Sequence, residues 1–269
     1  MTDLSGKVAV VTGGGGILCG AMSKALADSG ARVAVLDVNL EAAQNVAAQI
    51  TAAGGVAEGM QTDVLSLESL QQTAAAIHKQ WGPVDILING AGGNRAQATA
   101  SPDSSFFDIP ADAIQWVFNL NCLGTILASQ TFVRDMVERK SGVVINIASM
   151  AGIRPLTRVV AYSAAKAAVA NFTQWLAVHL AQQYSPNIRV NAIAPGFFLT
   201  AQNEYLLVEQ GTGKPTPRGQ TILDHTPAGR YGTPEDLLGT LLWLVSDAAA
   251  FVTGTIVPVD GGFSAFSGV

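Results

Sequence analysis

The feature that most constrains this chain is a set of short runs that are apolar on both sides of the pleat. Lys7–Thr12 (KVAVVT), Arg32–Asp37 (RVAVLD) and Val84–Asn89 (VDILIN) lack polar–apolar alternation. Such strands are buried on both faces, as in parallel sheets covered by helices. Further strands are predicted at Val56–Thr62, Val143–Ile147, Ile188–Ile193 and Thr255–Val259. Helices fit Ile17–Ser29, Leu40–Ala53, Ser66–Trp81, about Ala111–Arg139, about Val160–Tyr184 and Pro234–Asp247. Repeated strand–helix units imply an α/β chain with a doubly wound parallel sheet. No linker, repeat or composition break divides residues 1–269, so one domain is expected. Residues 90–110 read as a Gly/Ser/Pro-rich loop. Residues 197–232 show no period and are too long for an ordinary connection, which marks a substrate lid.

Only 13% of the residues are charged, against roughly a quarter in ordinary soluble chains. A membrane span does not account for this. The longest uncharged stretch, Ala167–Ile188, contains Asn171, Gln174, His179, Gln182 and Gln183. Met1–Lys7 shows no secretion signal. Net charge is −5 and the basic residues are scattered, so nucleic acid is not an expected partner. Cys19 and Cys122 lack metal-ligand spacing and suit a reducing, cytoplasmic setting. His225, His78 and His179 have no second ligand at useful spacing, so no metal is expected.

Thr12-Gly13-Gly14-Gly15-Gly16-Ile17 joins the first strand to a helix. Glycines there let the backbone turn tightly and approach a pyrophosphate, and the helix N-terminus offers free N–H groups. Asp37 closes the second strand about twenty residues later, where a ribose-binding acid belongs. A carboxylate there accepts ribose hydroxyls and repels a 2′-phosphate, which argues for NAD over NADP. Asp63-Val64 and Asn89-Gly90-Ala91-Gly92 follow the third and fourth strands, at the sheet edge where such folds bind ligands.

Tyr162 and Lys166 stand four residues apart near the start of a helix and share one of its faces. A phenol is a poor acid–base at neutral pH. A nearby ammonium and a positive nicotinamide ring are expected to lower its pKa. Ser149 ends the fifth strand and is expected at the same edge.

Taken together, these residues resemble the short-chain dehydrogenase/reductase family over essentially the whole chain. The resemblance rests on Thr12–Gly16, Asp37, Asp63-Val64, Asn89–Gly92, Asn121–Gly124 (N-x-x-G), Ser149, Tyr162-x-x-x-Lys166, and Pro195-Gly196 with Thr200. It implies a seven-stranded Rossmann-like sheet, an NAD-dependent oxidoreductase and a homo-oligomer, usually a tetramer. It implies that Tyr162 exchanges the proton with the carbonyl or hydroxyl oxygen, that Ser149 hydrogen-bonds that oxygen and that Lys166 holds the nicotinamide ribose. Asn121 would anchor a relay water. Asp63 and Val64 would face the adenine, Asn89 its ribose, and Phe198 and Thr200 the carboxamide. Gly13, Gly16, Ile17, Leu18, Ala91 and Pro195 complete the implied cofactor set. One departure stands out: against the family's T-G-x-x-x-G-x-G, Ile17 and Cys19 occupy the second and third glycine positions, with Gly16 and Gly20 as the residues that could compensate.

A narrower resemblance, to short-chain-type fructuronate reductases (D-mannonate oxidoreductases), is carried by Asn89–Asn94, Arg154–Thr157 (RPLT), Asn171–His179, Pro195–Thr200 and the ending VDGGFSAFSGV. It implies interconversion of D-mannonate and D-fructuronate. NAD-dependent polyol or gluconate-type dehydrogenases are the alternative, and a non-catalytic dinucleotide sensor the remote one. A sugar acid calls for an arginine fork on its carboxylate and amides on its hydroxyls. Candidates are Asn94, Arg95, Arg154, Arg158 and, in the lid, Asn203, Arg218 and His225, with Arg154 favoured for its closeness to Ser149. The charge deficit is concentrated in residues 113–133, in 159–188 apart from Lys166, and after residue 248 apart from Asp260. Helices without a charged outer stripe are expected to be covered, here by further subunits.

Overall fold

The computed structural model describes residues 2–101, 104–200 and 204–268. Seven parallel strands form one sheet in the order β3-β2-β1-β4-β5-β6-β7. They are β1 (Val8–Thr12), β2 (Arg32–Asp37), β3 (Val56–Gln61), β4 (Ile86–Asn89), β5 (Gly142–Ile147), β6 (Ile188–Pro195) and β7 (Ile256–Val259). The doubly wound α/β architecture read from the sequence is therefore the observed one. Alternate residues of one strand serve opposite cores. Ala9 and Val11 of β1 pack with Leu26, Val46 and Leu241, whereas Val8 and Val10 pack with Leu70, Phe132 and Leu180. This two-sided burial explains why the strands lack a polar face.

Helices α1 (Ile17–Asp28), α2 (Leu40–Ala52) and α9 (Leu238–Val245) supply the first core. Helices α3 (Leu67–Trp81), α5 (Gly124–Arg139) and α6 (Val160–Gln183) supply the second. Local chemistry starts several of them. Asn39 accepts a hydrogen bond from the Ala42 N–H at 3.2 Å, and Ser66 accepts one from Ser69 N–H at 3.2 Å. Side-chain oxygens of this kind satisfy helix N–H groups that lack a partner in the first turn.

The single long helix expected over 111–139 is instead two. Helix α4 (Ala111–Phe118) passes into a π-helical segment, Asn119–Leu123, before α5 begins. Apolar period alone does not reveal such a widened turn. The helix expected over 234–247 opens as a 3₁₀ turn, Pro234–Leu237, before α9.

The segment expected as a patternless lid carries two short helices, α7 (Glu204–Leu207) and α8 (Pro217–Asp224). Its two ends are fastened together. Leu199 N–H donates to Gly232 O at 3.2 Å, and Gly232 N–H donates to Phe197 O at 2.9 Å. The C-terminal segment leans on it, with Phe263 stacking edge-on against Phe197 at 5.1 Å. Among the described residues no helix is long and apolar enough to cross a membrane.

Candidate active site

Strand order reverses between β1 and β4, and helices leave these two strands toward opposite faces. That divergence opens a crevice at the carboxyl edge, the usual ligand position in such sheets. Here it is a cleft of about 710 Å³. Of the residues singled out in the sequence, Gly13, Gly16, Ile17, Leu18, Asp37, Asp63, Val64, Ala91, Ser149, Tyr162, Lys166, Pro195, Phe198 and Thr200 all line it.

The glycine turn is packed to the limit of what a backbone allows. Gly13 has φ +64, and a Cβ there would stand 2.8 Å from Ala91 Cα. A Cβ on Gly15 would stand 2.7 Å from Ala42 Cβ and 3.0 Å from Asp37 Oδ2. Gly16 caps α1 without a side-chain hydrogen bond, which leaves the turn's own backbone facing the cleft. The departure at Cys19 is accommodated from across the turn, since a Cβ on Gly90 would collide with the Cys19 sulfur. Gly20 lets α1 approach Val46 of α2, where a Cβ would stand 3.3 Å from Val46 Cγ2.

Asp37 is held at the cleft wall by backbone donors. Gly15 N–H reaches Oδ2 at 3.1 Å and Asn39 N–H reaches Oδ1 at 3.0 Å. This fixed carboxylate and glycine cradle fit a dinucleotide whose adenosine ribose carries no 2′-phosphate. Asn89 corrects an expectation. Its side chain faces the interior, where Nδ2 donates to Ser129 Oγ at 2.9 Å and to Asn146 Oδ1 at 2.8 Å. It is 2% exposed and does not line the cleft, so its side chain braces β4 against β5 and α5 and does not reach a ribose.

Ser149, Tyr162, Lys166 and Asn121 come together. Ser149 stands close enough to Tyr162 to lower its pKa, and its Oγ accepts from Ala151 N–H at 3.1 Å. Lys166 is 4% exposed; its Nζ donates to Ile147 O at 2.7 Å and lies 5.7 Å from the Tyr162 ring centre. Asn121 sits in the π-helical turn, fully buried. Its Nδ2 donates to Gly93 O and to Val117 O, each at 2.7 Å, and its Oδ1 accepts from Gly93 N–H at 3.1 Å. Gly92 is wedged between them: a Cβ there would stand 2.6 Å from Asn121 Oδ1 and 3.2 Å from Lys166 Nζ.

In the chain by itself burial raises the Tyr162 pKa above the ordinary phenol value, partly offset by the neighbouring Ser149; the expected lowering calls for the nicotinamide charge as well. Burial instead lowers Lys166 to about 8. The Cys19 thiol beside it is pushed up to about 12 by burial, stays neutral near pH 7, and so supplies no counter-charge. Lys166 is thus the group that titrates near neutrality.

The substrate candidates are scattered more widely. Asn94 Nδ2 donates to Thr99 Oγ1 at 2.9 Å on the exposed loop. The Arg95 guanidinium lies 3.9 Å over the ring of Trp116, which itself lines the cleft. Arg154 and Arg158 are exposed between Ser149 and α6. Arg218 is half-buried on α8, and burial, with the Arg158 charge adding to it, lowers its pKa from the usual value. His225 packs against Phe263 and Phe266. Asn203 lies outside the described residues. His78 pairs with Asp135 at 2.6 Å, and His179 stacks on Trp175 at 4.7 Å. Among the described residues no group of three His, Cys, Asp or Glu could hold a metal ion. Sequence reasoning missed Trp116 and the wedge at Gly92. The first carries no motif signal. The second lies in the Asn89–Gly92 motif, but its reason is three-dimensional.

Comparison with known proteins follows the same line. The family model described as short chain dehydrogenase matches residues 7–210. An uncharacterized oxidoreductase of Bacillus subtilis is 49% identical over 276 residues, covering 99% of this chain and 98% of its own. One from Haemophilus influenzae is 47% identical over 278 residues, covering 99% and 96%. A solved Haemophilus structure with bound NAD, provisionally described as a D-mannonate oxidoreductase, superposes with a TM-score of 0.93 at 47% identity, covering 99% and 98%.

Proposed function

The chain belongs to the short-chain dehydrogenase family, and from that premise we propose that it interconverts a sugar-acid alcohol and its ketone with NAD(H), D-mannonate and D-fructuronate being the pair. The enzyme class follows from the family. The sugar-acid substrate rests chiefly on the likeness, across nearly the whole length of both chains, to the NAD-bound Haemophilus structure. The cofactor is NAD, and the fixed Asp37 carboxylate supports the choice over NADP.

When bound, NAD supplies the hydride acceptor or donor. The chain's part is binding, positioning and proton transfer. Gly13, Gly16, Ile17 and Leu18 would hold the pyrophosphate, Asp37 the adenosine ribose, and Asp63 and Val64 the adenine, while Ala91, Pro195, Phe198 and Thr200 would line the nicotinamide end. In reduction Tyr162 donates its proton to the carbonyl oxygen while Ser149 hydrogen-bonds that oxygen. A phenol held protonated by burial is suited to this direction. In oxidation Tyr162 must accept the proton. Lys166, with its pKa near 8, takes the proton onward through a water held beside Asn121. Residues 197–232 act as the lid over the substrate.

The assembly is a homo-oligomer, a tetramer by family likeness. Its support is the charge-free, exposed face of α6, where Trp175 is 56% and Val178 56% exposed. Light scattering is expected to give about four times the 27.8 kDa chain mass; a monomer mass would refute the assembly. The two cysteines are free and buried, as suits a reducing compartment.

Steady-state turnover of the purified protein tests the substrate. D-Mannonate with NAD⁺ should exceed gluconate and neutral polyols in kcat/KM, and NADP⁺ should lose at least about tenfold. Good polyol turnover without mannonate turnover would overturn the sugar-acid reading.

A further inference from the structure

An indole borders the cleft beside the reacting groups, and the proton-transfer chemistry leaves it unused. Trp116 of α4 lines the same cavity as Ser149 and Tyr162. It keeps 36% of its surface exposed, although a ring of this size is usually covered. The guanidinium of Arg95 lies over the indole, 3.9 Å from the ring centre. Arg95 is itself held in place. Its carbonyl accepts from Ala98 N–H at 3.1 Å and from Thr99 Oγ1 at 3.0 Å, and Asn94 Nδ2 donates to the same Thr99 hydroxyl at 2.9 Å. Ala98 is fully buried and packs with Ala113 and Val117 of α4, with Ala161 and with Tyr162. The loop that carries Arg95, the helix that carries Trp116 and the phenol are therefore parts of one packed unit.

Among the described residues Arg95 forms no ion pair, so no carboxylate sets its place over the ring. Nor does another aromatic ring stack on Trp116 among those residues. An indole presents a broad apolar face at little entropic cost, and a cation stacked on it restrains the ring further. Ligand pockets are lined mainly by such surfaces, with a few polar groups that set orientation. A polyhydroxylated chain is not polar throughout. Between its hydroxyls it carries patches of C–H, which gain by leaving water for an apolar face.

We propose that Trp116 is a specificity-determining contact for the substrate: its indole receives the C–H face of the carbon chain beyond the reacting carbon, and Arg95 is the positioning residue that holds the ring. The proposal rests on the polyhydroxylated substrate of the reading above and adds a surface that none of the polar candidates supplies. The contact is blind to the carboxylate, so it favours long hydroxylated chains, acidic or neutral, over short alcohols. With the reacting carbon beside Tyr162, the ring fixes the rest of the chain relative to that point.

The test is calorimetric titration of the NADH-saturated protein with D-mannonate and with D-mannitol, joined by steady-state kinetics and indole fluorescence, for wild type, Trp116→Ala, Trp116→Phe, Arg95→Gln and Arg95→Lys. Trp116→Ala should weaken both ligands by at least about tenfold. Its KM should rise by a similar factor while kcat changes by less than about threefold, because the ring touches no reacting atom. Trp116→Phe keeps an aromatic face; it should recover most of the affinity and lose the ligand-dependent fluorescence change of wild type. Arg95→Gln should lose about threefold for both ligands, and Arg95→Lys, which keeps a cation near the ring, should recover part of that. Unchanged affinity in Trp116→Ala, or a fluorescence change that persists in Trp116→Phe, would overturn the contact. An equal loss of NADH affinity in Trp116→Ala would assign the ring to the shape of the cleft and also overturn it. A loss for D-mannonate alone in Arg95→Gln would make Arg95 a carboxylate ligand and overturn its positioning role. A wild type that binds D-mannitol and not D-mannonate would overturn the sugar-acid reading alone, since the D-mannitol arm still decides the contact; one that binds neither would overturn both.

Discussion

The two walls of the cleft are built by different means. On the cofactor side, β1, β2 and β4 present main chain, and glycines stand where any Cβ would strike a neighbour, as at Gly13 and Gly15. On the substrate side the cleft is lined by side chains, among them Trp116, Leu120, Ser149, Tyr162 and Thr200. The first wall is specified by the absence of atoms and tolerates almost no change. The second is specified by the side chains it presents and can be retuned. A rigid cradle shared across a family and a variable recognition wall let one redox chemistry serve many alcohols.

That contrast can be broken at several strengths. The largest effect belongs to the reacting centre, where the walls meet. Tyr162→Phe should lower turnover by about a thousandfold while NADH binding, followed by fluorescence, stays near wild type. Loss of NADH binding instead would mean the phenol is part of the cradle. Next comes Gly92→Ala, which forces a methyl against Asn121 Oδ1 and Lys166 Nζ. It should cost about a hundredfold in kcat by displacing the relay, with a smaller change in KM. An unchanged kcat would show that this part of the wall is softer than its packing implies. The smallest effect is a pH slope. Because burial holds Lys166 near 8, its neutral form, which can accept the proton, grows tenfold per pH unit below that value. Alcohol oxidation should therefore climb with pH and level off above about 8. Lys166→Arg should remove that limb from the remaining activity, because its charge cannot titrate there; persistence of the limb would assign it elsewhere.

The same contrast governs what could be read from the chain alone. Strands buried on both faces must be apolar throughout, so β1, β2 and β4 were legible, and with them the sheet. The Gly13–Gly16 turn and Asp37 were legible because backbone geometry dictates residue type and spacing. Tyr162 and Lys166 were legible because a helix fixes the direction of residues four apart. The π-helical turn at Asn121 was not, since a widened turn leaves no apolar signature and the bond from Asn121 to Gly93 O joins residues 28 apart in the chain. Asn89 was misjudged for a related reason. Its position at the strand end is a matter of sequence, whereas its inward side chain depends on Ser129 and Asn146. The burial that raises the Tyr162 pKa was likewise hidden, because spacing gives distance along a helix but not what covers it.

The Cys19–Gly90 contact has a consequence for engineering. A glycine in place of Cys19 leaves a small void, while any larger residue in place of Gly90 meets a sulfur already there. Emptying position 19 alone would not free position 90, because a Cβ there would still stand 2.9 Å from the Thr12 carbonyl oxygen. Two separate elements thus hold position 90 at glycine, so redesign of this corner has to begin from the β1 backbone and not from the cysteine.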